Sequence, residues 1–156
     1  MRDTKNAPKV RGFEVVTAFL DKGINIPQRK TARSAGYDIE SAEDVEVPPH
    51  GKKVIPTGLK AYMREDERLE IHIRSGISIK QSLSLLNDEG VIDADYYDNL
   101  DNEGHILVAF INHTDKAVQI KKGERIAQGI FSKYLLTDID KANGKRSGGI
   151  GSTGKH

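Results

Sequence analysis

The chain has no cysteine, which removes disulfides, thiolate nucleophiles and thiolate-held zinc ribbons together. No apolar run approaches the ~20 residues that a membrane-crossing helix needs. Residues 1–11 carry basic side chains but not the apolar stretch of a secretory signal, so a cytoplasmic location is expected. An excess of one charge is missing too: 24 basic and 23 acidic side chains leave a formal net charge of +1. The broad basic face on which duplex nucleic-acid binding depends is therefore not expected, and an anionic ligand must be gripped locally. The five histidines, His50, His72, His105, His113 and His156, are scattered without ligand spacing, which argues against a transition-metal site. What is there, 156 residues with 37% hydrophobic side chains and a mean hydropathy of −0.54, suits one soluble domain with a real core.

Helical periodicity is scarce, and the dominant period is two. Glu70 to Arg74, Lys116 to Lys121 and Glu124 to Gln128 each alternate between turn formers and read as half-buried strands. His105 to Asn112 is a nearly continuous apolar run suited to a strand covered on both faces. Pro48-Pro49-His50-Gly51 is a tight connection. Many short strands imply an all-β sandwich or jelly roll. One helix is expected, from Gly76 to about Leu85, with Ser75 as its N-cap. Residues 1–12 read as a flexible arm, 13–138 as the β domain and 139–156 as a flexible tail; beyond Lys141, Ile150 is almost the only apolar residue.

Three stretches carry chemistry. Gly90-Val91-Ile92-Asp93-Ala94-Asp95-Tyr96 delivers two carboxylates and an aromatic ring to one turn. It is either a turn that bonds its own backbone, or a cluster in which a shielded Asp93 activates water beside a pocket walled by Tyr96. Arg74-Ser75-Gly76 is either a plain helix cap or an anion site, with free amides beside a guanidinium suited to phosphate. Gly149-Ile150-Gly151-Ser152-Thr153-Gly154-Lys155 fits seven positions of the P-loop pattern, but His156 stands where a magnesium-holding hydroxyl belongs and no strand precedes it. A Gly-rich segment with Lys145, Arg146 and Lys155 could still fold down over a polyphosphate.

Taken together, five segments resemble the motifs of the homotrimeric dUTPase (deoxyuridine triphosphatase) family, in order and over nearly the whole chain. They are Ala35-Gly36-Tyr37-Asp38-Ile39, Arg74-Ser75-Gly76, Gly90 to Tyr96, Gly123 to Gln128, and Gly148 to Gly154. The resemblance implies a jelly-roll subunit, three of which share active sites at their interfaces and hydrolyse dUTP to dUMP and pyrophosphate with Mg2+. It implies that Asp93 is the base for the water attacking the α-phosphorus. Tyr96 would pack on the deoxyribose, and Asn87 with the hairpin backbone at Gly90, Val91 and Ile92 would read uracil. Arg74, Ser75, Gly76 and Gln128 would bind phosphates. The tail residues Lys145, Arg146, Gly149, Gly151, Ser152 and Thr153 would do so from a neighbouring subunit, because the tail has little apolar surface to anchor it to its own. Asp38 would support the metal through water and phosphates.

Three departures stand out. Ile150 occupies the place of the family's uracil-stacking Phe. Lys145 and Arg146 leave two choices for the tail cation that reaches the γ-phosphate. Tyr97-Asp98-Asn99 replaces the usual basic-residue-Gly continuation. Two other readings remain at this point: a deoxycytidine triphosphate deaminase of the same fold, whose expected Glu pattern is missing at Glu103 to Leu107, and a binding module whose nucleotide-gated tail switches contact with a regulatory protein.

Overall fold

The period-two stretches become strands because alternate side chains have a core to enter. The computed structural model describes residues 8–151. Among them the strands are β1 (Gly12–Val15), β2 (Tyr37–Glu40), β3 (Val45–Val47), β4 (Lys52–Pro56), β5 (Leu59–Tyr62), β6 (Glu67–Ile73), β7 (Leu83–Leu85), β8 (Gly90–Asp93), β9 (Leu107–Asn112), β10 (Val118–Ile120) and β11 (Arg125–Lys133). They pair antiparallel in the orders β2-β11-β6-β8, β4-β9-β7, β1-β5 and β3-β10. Ile39, Leu69 and Ile126 from the first group meet Ile55 and Phe110 from the second, with Val47 and Ile120 from the fourth, all fully buried in one cluster. Each such side chain contributes about 1.5–3 kcal/mol through burial. The expected all-β jelly roll is what the chain forms. No helix among the described residues is long and apolar enough to cross a membrane.

Strand β6 is the spine of the site. Glu67, Leu69 and Ile71 turn inward and Arg68, Glu70 and His72 turn outward, the alternation read from sequence. The buried Glu67 accepts hydrogen bonds from Arg11 Nε (2.8 Å) and the Arg64 N–H (3.2 Å), which ties the residues before β1 to the start of β6. Strand β11 runs well past the expected Gln128, because pairing with β6 continues to Lys133 opposite Glu67.

Two expectations are corrected. The helix α1 spans only Ser75–Gln81, and its N-cap is Arg74, with no side-chain cap bond; Ser75 is the first helical residue. It ends because Ser82 takes a left-handed conformation (φ 52°) and donates its N–H to Ser78 O. Leu83 and Leu85 then bury alternately as β7 against β9. Strand β9 is covered by the core on one face only: Val108, Phe110 and Asn112 are buried, whereas Leu107 and Ala109 stay half-buried and line a groove.

The loop between Tyr96 and β9 is strained and held by charge. Asp98 (φ 55°) and Glu103 (φ 62°) adopt conformations that favour glycine, and at Gly104 (φ 84°) a Cβ would meet Tyr96 O at 2.7 Å. Lys60, 10% exposed on β5, donates to Asp98 Oδ1 (2.5 Å) and Glu103 Oε1 (2.8 Å). Burial works against the Lys60 charge, but the bonds to Asp98 and Glu103 more than offset it and raise the pKa. Glu103 also accepts the N–H and hydroxyl of Thr17. Its carboxyl is held below the ordinary 4.5, first by Lys60 and then by the Thr17 amide. A depressed folded pKa contributes stability that is present above 4.5 and lost as pH falls through the folded value. Glu103→Gln is expected to lower Tm at neutral pH by roughly 2–4 °C, the response of a chain this size to about 1 kcal/mol. In melting curves across pH, the gap from the parent should close below 4.5; a gap independent of pH would exclude the charge as its cause.

Candidate active site

Strand β8 places the carboxylates. It pairs with β6 so that Gly90 faces Ile71 and Asp93 faces Arg68. A Cβ at Gly90 would stand 3.0 Å from Ile71 Cβ, a contact that Ile71 would have to give way to by a few tenths of an ångström. Asp93 then caps a turn of 3-10 helix, Ala94–Tyr96, which buries Tyr96. Beside it opens a cleft of about 290 Å³, lined by Asn87, Gly90, Val91, Ile92, Asp93 and Tyr96, with Arg146, Gly149, Ile150 and Gly151 from the tail.

The tail is anchored by charge. Arg146 donates from Nη2 to Asp93 Oδ2 (2.5 Å) and from Nε to Asp95 Oδ1 (2.8 Å), and its guanidinium lies 5.6 Å from the centre of the Tyr96 ring. Its side chain is only 9% exposed. The Gly149 N–H donates to Asp101 Oδ2. Within the single chain the tail is held by charged and amide groups rather than by apolar surface. Arg146, not Lys145, reaches the carboxylates; Lys145 is exposed. Ile150 borders the cleft yet is 74% exposed. Ser152 and Thr153 lie outside the described residues. Asp93 is less shielded than its apolar lead implied: its side chain is 54% exposed and Val91 is exposed as well.

A second cluster forms at the other end of β6. Asp38, 13% exposed on β2, pairs with Arg74 Nε (3.1 Å) and Arg125 Nη1 (3.2 Å). Gln128 on β11 lies opposite Asp38 on one side and His72 on the other. A Cβ at Gly36 would come within 2.3 Å of Gln128 Oε1 and 3.1 Å of its Cβ, so the first-motif turn packs directly on the Gln128 side chain. Ser75 and Gly76 are exposed beside Arg74. This cluster offers two guanidiniums and an amide to an anion.

The two clusters lie at opposite ends of β6. Arg74 follows Arg68 by six residues, and extended backbone at about 3.3 Å per residue separates Arg74 from Asp93's partner by about 20 Å. Sequence reasoning missed Arg125, the Leu107 and Ala109 wall, and the contacts of Asn99 and Asn102 with Tyr96. It also missed that Glu70, His72 and Glu89 gather within 4.8 Å of one another. Glu70 is held at about 2 by hydrogen bonds from Ser132 and His72, then by Arg68, against burial. Its charge is thus already met, and the trio does not line the cleft.

The dUTPase family model matches residues 22–154. The deoxyuridine 5'-triphosphate nucleotidohydrolase of Lactococcus lactis subsp. lactis (strain IL1403) is 54% identical over 148 residues, covering 94% of this chain and 99% of that protein. That of Arabidopsis thaliana is 40% identical over 147 residues, covering 91% and 83%. Among solved structures, the dUTPase from Streptococcus mutans superposes with a TM-score of 0.78 at 45% identity, covering 81% of this chain and 98% of that one. A mutant dUTPase from phage phi11 of S. aureus shares the fold at 22% identity and a TM-score of 0.71, covering 87% and 98%; that structure reveals the coordination of a structural Mg(II) ion. A family match that runs nearly end to end, with a relative more than half identical, leads to one conclusion: the chain belongs to the dUTPase family.

Proposed function

We propose that this chain hydrolyses dUTP to dUMP and pyrophosphate, with Asp93 taking a proton from the water that attacks the α-phosphorus. The bond from that phosphorus to the bridging oxygen breaks, and pyrophosphate leaves. The observation that carries this reading is a water-accessible carboxylate at the mouth of a nucleoside-sized cleft, with an aromatic wall on one side and a hairpin edge on the other. Asn87 and the backbone at Gly90, Val91 and Ile92 read the uracil edge. The tight approach of Gly90 to Ile71 supports a hairpin too narrow for thymine's methyl group. Tyr96 packs on deoxyribose and leaves no space for a 2′-hydroxyl. Ile150 covers the base without aromatic overlap.

Arg74, Ser75, Gly76 and Gln128 bind phosphates, joined by Arg146, Gly149, Gly151, Ser152 and Thr153. Arg146 exchanges Asp93 and Asp95 for phosphate oxygens as substrate enters, which frees the base. Mg2+ fits this donor set: Asp38 and Asp93 are each engaged by guanidiniums, so a hard cation is held mainly by triphosphate oxygens and waters, with Asp38 acting indirectly. When bound, the ion neutralises charge on the phosphates. The backbone of β6 puts about 20 Å between Arg74 and Arg68, the residue opposite Asp93, which is more than a triphosphate spans and supports a site completed by another copy. We read the enzyme as a homotrimer with shared sites, working in the cytoplasm.

Asp93→Asn is expected to keep nucleotide binding and lower kcat by ~10²-fold or more, because the amide cannot accept the proton. Single-turnover kinetics check this, and a near-parental rate would remove Asp93 as the base. Mixed trimers test the sharing. Asp93→Ala and Arg74→Ala chains, each inactive alone, are refolded together and their mixing is verified by mass. Activity should reappear, since one chain's Asp93 can meet another's Arg74; mixed trimers as inactive as both parents would place base and phosphate cluster on the same copy.

A further inference from the structure

Tyr96 can discriminate sugars only if its ring is held still, and the ring itself carries just one polar handle. That handle is fully engaged. The Tyr96 hydroxyl donates to His105 O (2.9 Å) and accepts from Asn102 Nδ2 (2.8 Å). The Asn102 amide is in turn oriented from its other side: its Oδ1 accepts from Asn99 Nδ2 (2.8 Å) and from the Gly104 N–H (3.1 Å). Asn99, 8% exposed, also donates to Tyr96 O (2.8 Å), while its Oδ1 accepts the N–H groups of Asp101 and Asn102. Two asparagines thus grip Tyr96 at both ends, by backbone and by hydroxyl.

The same loop meets the tail. A Cβ at Gly149 would stand 3.0 Å from Asn102 Nδ2 and 2.9 Å from Asp101 Oδ2. The loop is itself locked on its far side by Lys60. A loop that holds positive-φ residues, and spends its side chains on one tyrosine, stores strain where a specificity element needs rigidity.

We infer that Asn102 is a positioning residue for substrate selection: by fixing the Tyr96 hydroxyl, it keeps the ring against the sugar face and so sets the preference for deoxyribose over ribose nucleotides. It touches the ring and not the substrate. The inference rests on the reading of Tyr96 as the sugar wall. Loss of the donor lets the ring tilt away from its seat, which opens room for a hydroxyl and admits UTP. A purely structural role would instead lower turnover of both nucleotides together.

Asn102→Ala removes all three side-chain contacts, to Tyr96, Asn99 and Gly104. Asn102→Asp keeps the Oδ1 acceptor but replaces the donor with a second acceptor, which the Tyr96 hydroxyl can meet only by giving up its bond to His105 O. In folded trimers of either variant, the ratio of kcat/KM for dUTP over UTP is expected to fall by about tenfold. In a Tyr96→Phe background, which lacks the hydroxyl, Asn102→Asp should change the ratio little further. Tyr96→Ala serves as the control. A ratio preserved in the Asn102 variants but collapsed in Tyr96→Ala overturns this inference alone. Equal loss with and without the hydroxyl also overturns it. A ratio unchanged in Tyr96→Ala overturns the sugar-wall reading, and this inference with it.

Discussion

Strand β6 is shared by both halves of the site, and its pairing register keeps them apart. Asp93 sits opposite Arg68 at one end, through β8; Gln128 of β11 sits opposite His72 at the other, with Asp38 of β2 opposite Gln128 in turn. The register cannot slip. Moving one residue would drive Arg68 and Glu70 into the space of Leu69 and Ile71, and unpaired charges there would cost several kcal/mol each. On the proposed shared-site reading, this fixed register holds Asp93 and the Arg74–Asp38 cluster at opposite ends of β6, and that separation is what assembly would bridge.

Much of this was legible in sequence, for identifiable reasons. The strand around Glu70 to Arg74 shows period two because one face is buried, and that pattern is local; at Glu124 to Gln128 the expected alternation is broken, since Ile126 and Ala127 are both buried where the register with β2 shifts. The Asp93 turn was visible because its carboxylates and ring are adjacent in the chain. The helix was overextended because Ile79, Leu83 and Leu86 fall at helical spacing, and the left-handed stop falls on Ser82 where no glycine marks it. Arg146 was read as a phosphate ligand, but its present partners, Asp93 and Asp95, are more than fifty residues away. Pairings of that kind leave no trace in spacing. The departure at Tyr97-Asp98-Asn99 was noticed, yet its meaning became visible only through Lys60, Asn99 and Asn102.

The loop after Tyr96 and the tail share a physical logic. Each has little apolar surface and holds its place with charged or amide groups. The loop has its ions on a buried lysine, which makes it rigid. The tail has one guanidinium on two exposed carboxylates, an arrangement that an incoming phosphate can replace. That difference in burial underlies the roles proposed for them, a rigid sugar wall and an exchangeable lid.

The most direct measurement is a structure of the assembled enzyme with a non-hydrolysable dUTP analogue. The expected result has the α-phosphorus beside Asp93 of one copy and the outer phosphates on Arg74 and Gln128 of another. A nucleotide held by Asp93 and Arg74 of the same copy, or bound away from Asp93 altogether, would contradict the division of the site along β6.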